Sequence, residues 1–306
     1  MKFDFQDRVC GCAVGAAVGD ALGMPLEFGP KNAPANFTIN MVPGRLPAGS
    51  FTDDTEMAVA LAESLMHASP LDPDDLTQRF ISWYKTNPPD IGIQTRRILS
   101  RILAGSTWLQ ASNDDFHDHP GAAGNGSIMR CWPVALSRWD NPEDLTADTI
   151  IQSKITHPHP DCIEACVFVN QIIASFLLGC SLQDAYQRSL PFLSIHTGFQ
   201  ALITQAPSRS RNDLENTGWV RHTLESAVWA LFTFPTFEEG LVNVVNLGND
   251  ADTAGAVYGA MAGAFFGLQS IPAQWRQTLH GNWPIGSTTV WTENEFIQMA
   301  IKLALR

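Results

Sequence analysis

The stretch that most restricts what this chain can fold into is Ala254-Gly-Ala-Val-Tyr-Gly-Ala-Met-Ala-Gly-Ala-Phe-Phe-Gly267, a run of small and apolar residues without a charge. Such a run reads as a buried helix in close contact with its neighbours, because small side chains let other backbones approach. Directly ahead of it stands Leu247-Gly-Asn-Asp-Ala-Asp-Thr253. Carboxylates at the head of a buried helix lie near the interior, where an ion without a partner costs roughly several kcal/mol.

A second stretch repeats the chemistry. Ser50-Phe-Thr-Asp-Asp-Thr-Glu56 precedes the apolar helix Met57–Met66. Thr and Asp at a helix start serve as N-caps and face the positive end of the dipole. One residue does that job, and Asp53 with Asp54, or Asp250 with Asp252, supplies more charge than capping requires. No lysine or arginine lies nearby in sequence to neutralise the second set. The simplest partner for four carboxylates and two threonine hydroxyls is a pair of hard divalent cations, Mg²⁺ or Mn²⁺, which prefer oxygen ligands.

At 306 residues and 45% hydrophobic content the chain can bury one large core. No linker or low-complexity block divides it, so residues 1–306 are expected to form a single domain. A formal charge of −12 leaves no basic stripe for nucleic acid. The six cysteines include no CxxC pair and read as core thiols of a reducing compartment. The apolar N-terminal run is flanked by Asp4, Asp7, Arg8 and Asp20 and makes a poor signal peptide. No uninterrupted apolar run approaches the roughly 18 residues of a membrane span. The expectation is a cytoplasmic protein without membrane or nucleic-acid partners; the oligomeric state is open.

In chain order, small apolar residues at helical spacing predict a first helix over Phe5–Leu22, with Asp20 structural and Glu27 facing either a loop or a cleft. Prolines and glycines from Gly29 to Ser50 predict a long irregular segment. Helices are expected over Thr55–Ala68, Leu76–Thr86 and Gln94–Leu103, then coil from Gly105 to Pro120. Gly121 through Arg130 carries three glycines in its first six residues, spacing that allows backbone N–H groups to approach an anion. Further helices are expected over Thr146–Ile155, Cys162–Leu178, Ser181–Leu190, Thr223–Phe232, Phe237–Leu247 and Trp291–Leu305. His157, between two of them, is a buried hydrogen-bonding group, a site residue or, last, a metal ligand. No sustained period-two pattern argues for strands, so the fold class is all-α.

Taken together, Gly19-Asp-Ala-Leu-Gly23 with Glu27, Phe51-Thr-Asp-Asp-Thr55, Gly124-Asn-Gly-Ser-Ile-Met-Arg130, Thr156-His157 and Gly248-Asn-Asp-Ala-Asp-Thr253 resemble the ADP-ribosylglycohydrolase family. That family includes the dinitrogenase-reductase-activating glycohydrolase and hydrolases of arginine and serine linkages. The resemblance implies an all-α fold with two Mg²⁺ or Mn²⁺ ions at the base of a cleft. It would make Thr52, Asp53, Asp54, Asp250, Asp252 and Thr253 metal ligands, and Glu27 a glutamate beside the metals. Gly121, Ala122, Ala123, Gly124 and Asn125 would hold a diphosphate, with His157 at the substrate site. Asp90, in Pro-Pro-Asp-Ile-Gly92, matches an aspartate of the nitrogenase-regulating branch and favours an arginine linkage, since a carboxylate pairs with a guanidinium.

The expected reaction is metal-dependent release of ADP-ribose from an ADP-ribosylated protein or conjugate through an oxocarbenium-like state. Asp53 or Asp252 would orient water, and Glu27 or Asp90 would handle the leaving-group proton. Serine-linked or small-molecule conjugates, a non-catalytic ADP-ribose binder, or a metal-dependent phosphoesterase are the alternatives.

Overall fold

The computed structural model describes residues 4–306. Among them are fifteen α-helices: α1 (Phe5–Gly23), α2 (Asp53–His67), α3 (Pro73–Tyr84), α4 (Ile93–Leu103), α5 (Trp108–Asp118), α6 (Trp132–Ser137), α7 (Pro142–Lys154) and α8 (Pro160–Leu177), followed by α9 (Leu182–Ser189), α10 (Phe199–Gln205), α11 (Val220–Thr233), α12 (Phe237–Val245), α13 (Ala251–Phe266), α14 (Ala273–Thr278) and α15 (Glu293–Ala304). The only sheet among the described residues pairs Gly281–Asn282 with Val290–Trp291, too short to show a period of two in sequence. The expected all-α class and the long helices stand, with ends displaced by a few residues.

The small-residue run is buried because α13 lies antiparallel against α1, backbone on backbone. A Cβ added at Gly11, Gly15 or Gly19 would come closer than 3.0 Å to the carbonyl oxygen of Gly263, Gly259 or Gly255, and the reverse additions collide likewise. The four-residue spacing keeps these glycines on one face of each helix. At the end of the seam, Gly23 meets the backbone of Ala251 and Asp252. The seam therefore fixes the acidic head of α13 against the C-terminal end of α1.

Asp20 ties the other acidic head to the same place. Its Oδ2 accepts from the N–H groups of Thr52 (2.9 Å) and Thr55 (3.2 Å) and from Thr55 Oγ1 (2.6 Å), while Oδ1 accepts from Thr52 Oγ1 at 2.9 Å. The orphan amides at the head of α2 are thus capped from another helix, and Thr52 makes no side-chain cap bond of its own.

Two expectations need correction. Residues 105–120 are not coil: α5 starts at a capping box, with Thr107 Oγ1 accepting from Gln110 N–H (3.2 Å) and Gln110 Oε1 accepting from Thr107 N–H (3.1 Å). Its buried positions are Ala111, Ser112 and Asp115, which form no apolar stripe for periodicity to detect. Contrary to the expectation that no segment is long enough, the helical segments Phe5–Leu26 and Pro160–Leu177 are long and apolar enough to cross a bilayer. Both are mostly buried, their faces taken by other helices of the same fold.

Candidate functional site

The two acidic heads meet. Thr253 Oγ1 donates to Asp54 Oδ1 at 3.4 Å across the α2–α13 junction, at the edge of a cleft of about 500 Å³. Glu27, Asp53, Asp54, Asp90, Asp250, Asp252 and Thr253 line it, together with Ala122, Gly124, Asn125 and His157. Thr52, Gly121 and Ala123 lie off its wall. Thr52 is buried, its hydroxyl hydrogen committed to Asp20, which leaves oxygen lone pairs for another partner.

Capping does not account for these carboxylates. Asp20 serves the head of α2, and Asp250, the residue at the N-cap of α13, makes no side-chain cap bond. Instead Asp250 Oδ2 accepts from Asn125 Nδ2 at 3.1 Å, which ties the glycine-rich segment to the acidic head. Burial pushes Asp53, Asp54 and Asp252 well above the usual carboxylate range, and neighbouring charges add to it, Asp90 first at Asp53, Asp252 first at Asp54 and Asp250 first at Asp252. Asp54 Oδ2 and Asp90 Oδ1 are buried without a hydrogen-bond partner.

The lack of a nearby cation in the sequence does not carry over to space. Arg45, from the irregular segment after Gly29, reaches in with Nη2 at 2.6 Å from Glu27 and 3.4 Å from Asp252, and Nη1 at 3.2 Å from Asp90. It is one positive charge among six carboxylates. Nothing local in an aperiodic loop could have marked this residue. Among the described residues no three acidic, histidine or cysteine groups are already gathered as a metal site; the acids are spaced around Arg45 instead. The donor set nevertheless fits hard divalent cations: every donor is an oxygen, two buried oxygens lack partners, and the charge is under-compensated.

Away from this cluster the wall changes character. His157 is buried, and burial together with the Arg130 and Arg97 charges holds it well below the usual imidazole range, so it is neutral. Thr156 Oγ1 accepts from Arg130 Nη2 (2.7 Å) and so gives its hydrogen to His157 Nδ1 (2.8 Å). That network assigns the proton to Nε2, the ring atom beside Gly124 and Gly126. A Cβ at Gly126 would meet the His157 ring, which explains the glycine there. Gln94, Thr95 and Arg97 of α4 complete this part of the wall, and sequence reasoning did not single them out.

Backbone strain marks the mouth. Gly248 and Asn249 take positive φ (70° and 51°), as asparagine tolerates better than most residues. Phe28 also has positive φ (60°), is 84% exposed, and is held by N–H donation to the Asn249 carbonyl at 2.6 Å.

Comparison with known proteins adds to this geometry. The model of a family described as "ADP-ribosylglycohydrolase" matches residues 1–304. The "ADP-ribosyl-[dinitrogen reductase] glycohydrolase" of Rhodospirillum rubrum is 34% identical over 236 residues, 77% of this chain and 75% of that protein. The "ADP-ribosylarginine hydrolase Tri1" of Serratia proteamaculans is 32% identical over 89% of this chain and 75% of its own length. A solved structure titled "ADP-ribosylglycohydrolase-related protein complex" superposes with a TM-score of 0.80 at 33% identity, covering 98% of both chains.

Proposed function

Because the chain belongs to the ADP-ribosylglycohydrolase family, we propose that it is a hydrolase releasing ADP-ribose from arginine side chains, with divalent cations in the acidic part of the cleft. The observation that carries the arginine preference is the Arg45 guanidinium seated against Glu27, Asp90 and Asp252. The cleft accepts the very group an arginine linkage presents, through charge-assisted contacts that a serine oxygen cannot make. The substrates named in the titles of the two curated relatives agree with this choice.

In this reading water attacks the anomeric carbon, the C–N bond to the guanidine breaks, and ADP-ribose and arginine leave. Glu27 and Asp90 flank the leaving guanidine in place of Arg45. Burial raises both carboxyls above their ordinary range, so one of them can hold a proton for the departing nitrogen near neutral pH. Asp53 or Asp252 orients the attacking water. Asn125 holds Asp250, and neutral His157 offers its Nε2–H to the substrate from the other part of the cleft. Thr52, Asp53, Asp54, Asp250, Asp252 and Thr253 would hold Mg²⁺ or Mn²⁺, which supply charge compensation and Lewis-acid polarisation of oxygen atoms.

The test is release of ADP-ribose from ADP-ribosylated agmatine and, separately, from a serine-linked peptide. Release from the guanidine conjugate at least about tenfold faster supports the reading, a ratio that one charge-assisted contact can supply. Preference for the serine conjugate would overturn it.

A further inference from the structure

We propose that Arg97, held from behind by Asp115, is the cation that binds the substrate's diphosphate. The proposal rests on the ADP-ribose reading above and deepens it.

A diphosphate carries negative charge and cannot lie against six carboxylates, so it belongs on the part of the wall formed by Gln94, Thr95, Arg97, Gly124, Gly126 and His157. The glycine-rich segment alone is a poor cradle there, because several of its N–H groups are spent. Ala122 N–H donates to His119 (2.9 Å), Gly124 N–H to Gln94 Oε1 (3.3 Å) and Asn125 N–H to Gly218 (3.0 Å).

Arg97 is the one basic residue on the wall. Its Nε and Nη2 both donate to Asp115, the second at 2.8 Å, and Nη1 has no protein partner among the described residues. The Asp115 side chain is fully buried and the Arg97 side chain 27% exposed, so the carboxylate sits behind the guanidinium. A fork pinned along one edge keeps its remaining nitrogen in place at little entropic cost, the arrangement suited to phosphate oxygens. This also gives α5 a purpose: its buried face carries no apolar stripe because one of its inward positions is a carboxylate that aims Arg97.

Asp115 is then a positioning residue and Arg97 a binding residue. Removing Arg97 alone would strand a buried carboxylate, so the informative variant is Arg97→Gln with Asp115→Asn, a neutral pair that can still hydrogen-bond. Calorimetric titration with ADP-ribose, ADP and adenosine is expected to show Kd at least about tenfold weaker for the two diphosphates and unchanged for adenosine, the scale of one charge-assisted hydrogen bond. Arg97→Lys, which keeps the charge without the fork, should fall in between. Asp115→Asn alone should raise KM with kcat nearly unchanged. Equal losses for adenosine and ADP-ribose, or no loss in the double variant, would overturn the assignment. A wild-type chain that binds no ADP-ribose would instead remove the functional reading on which it rests.

Discussion

The α1–α13 seam and the acidic cleft are made from the same two helices and obey opposite rules. Along the seam, glycine backbones touch and no atom can be added. At its end, buried carboxylates lack partners and repel one another. The contrast shows why the seam is so tight. Like charges on α2 and α13 would drive their heads apart, and interlocked backbones cannot give way by small increments as a side-chain interface can. Stability held in one region pays for its deliberate lack in the other.

The largest effect should come from attacking the seam. Gly259→Val places a side chain against the Gly15 backbone and should cost upward of about 4 kcal/mol, the range of severe core overpacking. Denaturant melts would show loss of the cooperative transition. Gly121→Ala, which meets nothing within 4 Å, should stay within about 0.5 kcal/mol. Comparable losses at both positions would break the comparison.

Asp54→Asn works on the cleft with the reverse sign. It relieves a buried, under-compensated charge and should stabilise the metal-free chain by about 1–2 kcal/mol. Activity should fall by about 100-fold or more, the scale of losing one electrostatic group at a reacting centre. Destabilisation of the metal-free chain would mean that the carboxylates are better paired than they look.

The pH response sharpens the same point. Burial pushes Asp20 up to about 6 and Glu56 up to about 8, so the folded chain holds protons that the unfolded chain has released. Their contribution is complete below about pH 4, the ordinary carboxylate range, and is lost as pH rises through 6 and 8. The metal-free chain should therefore melt higher at pH 5 than at pH 8.5. Phe28→Asn should give the smallest change, a gain of under about 1 kcal/mol in thermal melts from relieving a positive φ.

The parts of this architecture carried by local composition were legible in the sequence. Asp53 and Asp54, like Asp250 and Asp252, announce themselves by standing ahead of uncharged helices, and the small-residue spacing of α13 announces close packing. What depends on distant partners was not. Asp20 caps a helix more than thirty residues away, and Arg45 enters the cleft from a segment without periodicity. Helix α5 had a readable start in Thr107 and Gln110, but its inward Asp115 hid it, because that residue answers to Arg97 rather than to the core.

The most direct measurement is thermal melting of the metal-free chain with and without saturating Mn²⁺, beside the Asp54→Asn/Asp252→Asn double variant. The wild type should gain about 5 °C or more, as expected for ligand near 100 times its Kd. The double variant should start higher and not shift. A wild type indifferent to Mn²⁺, or a double variant that shifts equally, would contradict the view that these carboxylates await a cation.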